Sequence, residues 1–235
     1  MSLTLEAQEM KKNLTLLNQR IASATASCGR SEKDIALIWV SKLHPQESVD
    51  IAYELGAREF GENRVQEALE KFTTKKTGMR CHIIGPVQSN KLKKAAGVAD
   101  FIHSMDSIAS IEKLNSYCAA EDKVLDILIQ VNASEEDTKS GLSMGDAAAF
   151  LEALPECSHL RYRGLMTIGK NTGNAEDSRE GFAFFRTLRD DFVNRDSRFT
   201  HFTELSMGMT GDLEVAIEEG ATMIRVGTAL FGSRL

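Results

Sequence analysis

The chain has 235 residues, which suits one (β/α)8 barrel and is enough to bury a sizeable core. It carries 28 Lys and Arg against 34 Asp and Glu, so the formal net charge of −6 argues against a nucleic-acid-binding surface. Charge appears early in the N-terminal segment, no apolar run is long enough to cross a bilayer, and the cysteines (Cys28, Cys81, Cys118, Cys157) and histidines are scattered without metal-ligand spacing. These features predict a reduced cytoplasmic protein with no membrane span, no nucleic-acid partner, no disulfide framework and no metal site.

Met10, Leu14, Leu17, Ile21 and Ala24 recur at alternating steps of four and three, which predicts a helix ended by Gly29. Ile35 to Val40 is a continuous apolar run, as expected of a strand buried on both faces of a parallel sheet, and it exits at Ser41-Lys42. A helix from Glu47 to Leu55 follows, then a short strand at Arg58–Phe60, its exit at Gly61-Glu62-Asn63, and a helix from Arg64 to Phe72. The alternation repeats with strands at Cys81–Ile84, Phe101–His103 and Leu125–Val131, separated by a basic helix from about Ser89 and a helix through Ile108, Ile111 and Leu114. After a polar loop containing Lys139 and a helix from Ser143 to Leu154 comes a sixth strand, Leu160–Met166. Phe182, Phe185, Leu188 and Phe192 share one face of the next helix and read as core. The seventh strand is Phe202–Leu205, the helix after it opens near Asp212 and ends at Gly220, and the eighth strand delivers Arg225 and then Gly227-Thr228.

Eight strand-helix units without a composition break predict an α/β fold: a single (β/α)8 TIM-type barrel domain over residues 1–235, with an extra N-terminal helix. A doubly wound sheet is the alternative, but no Gly-x-Gly-x-x-Gly turn follows the first strand. In such a barrel the chemistry sits at the C-terminal strand ends, here Lys42, Asn63, Gly85-Pro86, Ser104, Asn132, Met166, Ser206 and Arg225. An amine directly after an apolar strand is a candidate imine-forming nucleophile. The seventh and eighth exits supply Ser206, Gly208, Gly227 and Thr228, which are small, rich in donors and suited to a phosphate. A phosphate opposite a lysine points to a phosphorylated aldehyde held as an imine. Pyridoxal 5′-phosphate (PLP) fits, and so does a sugar phosphate in an aldolase.

Seven motifs then recur in order: Val40-Ser41-Lys42, Phe60 to Glu67, Ile84 to Lys91, Lys139-Ser140-Gly141, Arg163 to Met166, Leu205 to Met209 and Arg225 to Thr228. On these, the chain resembles the pyridoxal-phosphate homeostasis protein family over nearly its whole length. The resemblance implies a barrel similar to the N-terminal domain of alanine racemase, with PLP as cofactor bound to Lys42 as an internal aldimine. It further implies Arg225 at the pyridine nitrogen, Asn63 in the ring pocket, and Ser206, Gly227 and Thr228 on the phosphate, with Met207 completing the cofactor-binding set. Family members are regarded as regulators of free PLP without a confirmed catalytic activity. The implied function is therefore PLP storage and delivery in the cytoplasm, by a monomer, with PLP-dependent apo-enzymes as candidate recipients and no catalytic residues. A cationic arginine beside the ring cannot accept a proton from it, so the cofactor's electron sink is weakened. The alternative is a one-domain PLP-dependent amino-acid racemase, although the chain offers no second domain to supply a further base. Trp39 and Leu43 depart from the family pattern beside the lysine, which predicts local repacking of the barrel interior. Lys139 is a candidate to accept the aldehyde transiently during release.

Overall fold

In the computed structural model, which describes residues 4–133, 140–193, 195 and 197–232, eight parallel strands close into a barrel. They are β1 (Ala36–Val40), β2 (Glu59–Glu62), β3 (Arg80–Ile83), β4 (Phe101–Met105), β5 (Leu125–Asn132), β7 (Leu160–Met166), β8 (Glu204–Ser206) and β9 (Met223–Val226). β4 pairs with β5 on one side and β1 with β9 on the other, so no barrel edge is left open. A two-residue strand, β6 (Leu142–Ser143), extends the end of β5 outside this ring.

The helices between the strands are α2 (Gln46–Glu54), α3 (Val65–Phe72), α4 (Leu92–Val98), α5 (Ile108–Ala120), α6 (Met144–Glu152), α7 (Arg179–Val193) and α8 (Leu213–Glu218). The expected N-terminal helix is α1 (Leu5–Ser27), capped by the Thr4 hydroxyl accepting from Ala7 N–H at 3.2 Å. Its buried face, including Met10, Leu17 and Ile21, packs on α8 and on a short terminal turn, α9 (Thr228–Phe231). Arg20 forks onto Glu214 at 2.6 and 2.8 Å, and Asn13 donates to the Leu230 carbonyl at 3.1 Å. The first helix thus holds the last elements against the first strand. No helix among the described residues is long and apolar enough to cross a membrane.

Alternation along each strand divides the core in two. Ile38, Phe101, Leu128, Met166 and Met223 fill the barrel interior, while a larger apolar layer lies between strands and helices. Trp39 belongs to the outer layer, where it meets Phe231 edge-on at 5.9 Å. It therefore does not repack the interior, because the period of two turns it away from its neighbours Ile38 and Val40. The seventh strand, expected from Phe202 to Leu205, also begins later than its apolar start suggests. Phe202 stacks edge-on against Phe199 at 5.1 Å before β8 begins at Glu204, so its apolar character serves the packing beneath α7.

Arg163 is an extra residue in β7: Ile127 pairs with Tyr162 and Leu128 with Gly164, which leaves Arg163 as a bulge. Gly164 has φ +147°, and a Cβ there would lie 1.9 Å from the Glu204 carbonyl oxygen. The bulge carries the Arg163 side chain to Glu204 at 3.0 Å. Substitution Gly164→Ala should lower stability by about 1–3 kcal/mol, or by more if β8 must move, as read from the urea midpoint.

Candidate cofactor site

A cavity of about 410 Å³ opens at the C-terminal ends of the strands, within the size range of small-molecule sites. Lys42, Asn63, Arg225, Gly227 and Thr228 all line it, together with Val40, Gly85, Pro86 and Gln130. A comparably large hollow of about 470 Å³ lies at the opposite end of β7, around Cys157, Arg161 and Arg198, away from every strand exit.

Lys42 is aimed by the chain around it. His44 N–H returns to the Ser41 carbonyl at 3.1 Å, closing a turn in which Leu43 has φ +64°. A non-glycine residue in that region costs about 1–3 kcal/mol, and the Leu43 N–H is held there by the Glu67 carboxylate at 2.8 Å. Leu43 itself is exposed and does not line the cavity, so its apolar side chain leaves the pocket unchanged. Beneath the turn, Lys71 donates to the Ser41 carbonyl and to Glu62 Oε1, both at 2.8 Å, and the Ser41 hydroxyl donates to the same carboxylate oxygen at 2.7 Å. Burial raises the Glu62 carboxyl above its ordinary value, against the pull of Lys71 and Ser41.

On the neighbouring strand the register pairs Ile38 with Arg225 and Trp39 with Val226. A Cβ on Gly227 would lie 3.0 Å from the Val40 carbonyl oxygen, so the close approach of the two exits favours glycine there. In the turn that follows, Leu230 and Phe231 N–H both bond the Gly227 carbonyl. The leading N–H groups of such a turn have no partner within it and are available to an anion.

Arg225 is 4% exposed and donates from Nη1 to Ser206 Oγ and from Nη2 to the Thr167 carbonyl, each at 2.8 Å. Burial pushes its guanidinium down to about 10, opposed by the nearby Asp212 carboxylate, and it remains cationic at neutral pH. Two of its five N–H donors are spent on these bonds, leaving donors for a ligand.

The model of the alanine racemase N-terminal domain family matches residues 8–235. The chain belongs to that family. The pyridoxal phosphate homeostasis protein of Escherichia coli strain K12 is 38% identical over 230 residues, covering 96% of this chain and 97% of its own. Among solved structures, a protein from Bifidobacterium adolescentis superposes with a TM-score of 0.90 at 32% identity, over 98% of this chain and 97% of its own. PipY of Synechococcus elongatus PCC7942, solved with PLP bound, superposes with a TM-score of 0.78 at 37% identity, over 90% of this chain and 100% of its own.

Within this family member, Ser206 and Met207 lie beneath the cavity, not on its wall: both are fully buried and neither lines it. The Ser206 hydroxyl is occupied by Arg225 and His103, and Met207 N–H is given to the Met223 carbonyl at 3.1 Å. Ser104 and Met166, also read as strand exits, are interior residues, and the Ser104 hydroxyl donates to the Gly85 carbonyl at 2.7 Å. Lys139 falls outside the described residues. Sequence reasoning missed Gln130, Ile168 and the Met209–Gly211 segment, all of which line the cavity. Gln130 carried a readable signal, a lone amide in the apolar run from Leu125 to Val131. Its Nε2 donates to the Ser140 carbonyl at 2.9 Å, and its buried Oε1 has no partner among the described residues.

The Lys71–Glu62 pair behind the lysine turn is 9% and 0% exposed. Removing one partner strands the other charge, so Lys71→Met should destabilise the protein by about 3–5 kcal/mol in denaturant unfolding.

Proposed function

We propose that this protein binds PLP where β1 and β9 meet, and that it acts in intracellular PLP homeostasis as a carrier without turnover of its own. When bound, PLP supplies an aldehyde open to a lysine amine, a ring nitrogen that accepts a hydrogen bond, a ring hydroxyl and a phosphate. Two observations of the cavity suit that group. Arg225 has donors to spare at a buried cation, and Gln130 Oε1 is a buried acceptor in want of a donor. Support from relatives lies in the Escherichia coli protein's name and in the PLP present in PipY.

In this reading Lys42 provides the attacking amine, and the Glu67-held turn keeps it directed into the cavity. Arg225 donates to the ring nitrogen. Being a donor only, it offers no acceptor for a proton on that ring, which limits how far negative charge can be drawn into it. Gly227 and Thr228 offer backbone N–H groups and a hydroxyl to the phosphate, and Asn63 walls the ring on the β2 side. Ser206 and Met207 contribute from beneath, Ser206 by holding the guanidinium that touches the ring.

The observation that carries the absence of turnover is the composition of the wall. Among the described residues lining the cavity there is no Asp, Glu, His, Cys or Tyr, so none besides Lys42 suits proton transfer at a reacting carbon. Racemisation needs a second such group on the opposite face. The whole reading is of one PLP-binding unit over residues 1–235, monomeric and cytoplasmic, delivering PLP to apo-enzymes that require it.

Borohydride treatment of PLP-loaded protein should leave a mass adduct on the peptide containing Lys42, and Lys42→Ala should lose both the adduct and the visible absorbance of the bound cofactor. Arg225→Gln should release PLP faster than wild type when mixed with an excess of apo-enzyme. Incubation with L-alanine or L-serine should give no D-isomer. Sustained racemisation that depends on Lys42 would replace the carrier reading with the racemase one.

A further inference from the structure

Below the cavity floor, five side chains on five different strands form one continuous hydrogen-bonded series across the barrel. Arg225 Nη1 lies 2.8 Å from Ser206 Oγ, Ser206 Oγ 2.9 Å from His103 Nδ1, and His103 Nε2 2.9 Å from His82 Nδ1. His82 Nε2 then bonds the Glu59 carboxylate at the first residue of β2, where the side chain is 26% exposed at the N-terminal rim. Both rings are buried, and Phe101 stacks on His82 at 5.4 Å and meets His103 at 4.9 Å, which excludes water from the flank. The charged groups facing the series among the described residues are Arg225 at the top, with Asp212 near it, and Arg80 at the rim, 3.6 Å from Glu59, with Asp100 acting on the same carboxylate; Arg80 also reaches Asp126 at 3.4 Å.

The two ends determine the order of protons between them. Arg225 can only donate, so the Ser206 oxygen accepts from it. Among the described residues the one acceptor bonded to the Ser206 hydroxyl is His103 Nδ1, and leaving the hydroxyl proton unbonded in a fully buried place would cost about 1–3 kcal/mol. His103 must then carry its own proton on Nε2 and donate to His82 Nδ1. His82 in turn carries its proton on Nε2 and donates to Glu59. Only this order satisfies every group with both rings neutral. Burial drives the His103 imidazole well below its ordinary value, and positive charge at His82, Arg225 and Arg80 acts in the same direction. At Glu59 burial opposes ionisation, but the hydrogen bond and charge of His82, with Arg80, outweigh it and hold the carboxyl below the usual range. The proton order itself rests on the hydrogen-bond geometry.

We infer that Glu59, His82 and His103 are positioning residues whose one-way hydrogen-bond order locks Ser206 as an acceptor and so fixes the aim of Arg225 from the opposite end of the barrel. None of the three lines the cavity. Their effect on a cofactor rests on the PLP reading above, whereas the proton order does not.

Nitrogen-15 NMR of the full chain without ligand, at mildly alkaline pH, should show both rings neutral with the proton on Nε2. An Nδ1-protonated tautomer of His103 or His82, or an imidazolium at either, overturns the proposal. In PLP-loaded protein, Glu59→Ala should speed release to an apo-enzyme roughly three- to tenfold, the range expected of a residue acting through intermediaries. Glu59→Gln keeps an acceptor oxygen for His82 without the charge, and should restore both the tautomers and the release rate to near wild type. Equal acceleration by both variants would mean that the charge acts and the bond order does not, and no acceleration by Glu59→Ala would mean that the rim does not reach Arg225; either result overturns the proposal. If the wild-type chain takes up no PLP, the cofactor reading fails by itself and the NMR result still decides the proton order.

Discussion

A guanidinium inside a barrel is the constraint on which the rest of this structure turns. Taking such a charge out of water costs several kcal/mol even after relaxation, and Arg225 has no carboxylate bonded directly to it among the described residues. Its burial is sustained by a hydroxyl, a carbonyl and the more distant Asp212. The carbonyl belongs to Thr167, whose own N–H bonds the Ser206 carbonyl at 3.1 Å, so the loops after β7 and β8 are tied together around the cation. The interior of the barrel is accordingly half polar. Ile38, Phe101, Leu128, Met166 and Met223 supply the apolar filling, and the histidine series runs through it.

The second constraint is that two segments far apart in the chain meet at the cavity. Lys42 follows the first strand and Arg225 sits in the last, and they become neighbours because β1 pairs with β9. Gly227 lets the exits approach more closely than a side chain would comfortably allow. The seam between first and last strands would be the weak point of such a barrel, and α1 crosses it, bonding Glu214 through Arg20 and Leu230 through Asn13. The lysine turn is stiffened separately by Glu67, Glu62 and Lys71, all from β2 and α3. Placing Lys42 thus depends on residues that do not line the cavity.

Much of this was legible in the sequence because buried parallel strands read as apolar runs and end abruptly in polar or glycine residues. Lys42, Asn63, Arg225, Gly227 and Thr228 could be placed on one rim from that punctuation alone, and all five line the cavity. Ser206 and Met207 were harder, because the last residue of a short strand can face the rim or the interior, and a run of Leu-Ser-Met-Gly-Met does not say which. The histidines were illegible for a different reason. His82 and His103 stand far apart in sequence and look dispersed, yet they occupy adjacent strands β3 and β4 at inward positions, which only closure of the barrel reveals. Gln130 lay between these cases. A single amide in an apolar strand is visible, but its orphaned oxygen is a property of the folded cavity.

The same features bear on why a fold shared with racemase domains would serve storage. Drawing electrons away from a reacting carbon is eased by a ring partner that can stabilise added positive charge, and racemisation then needs a group to return the proton on the far side. Arg225 supplies the opposite of the first, a fixed cation whose hydrogen-bonding atoms all donate. The described wall of the cavity supplies nothing for the second. On the proposed reading, what remains serves retention: one amine on a braced turn, backbone donors for an anion, and an arginine bonded into a series of side chains that spans the barrel. A site that would grip both ends of a ligand yet leave its electronic demands unmet would suit holding that ligand and letting it go unchanged.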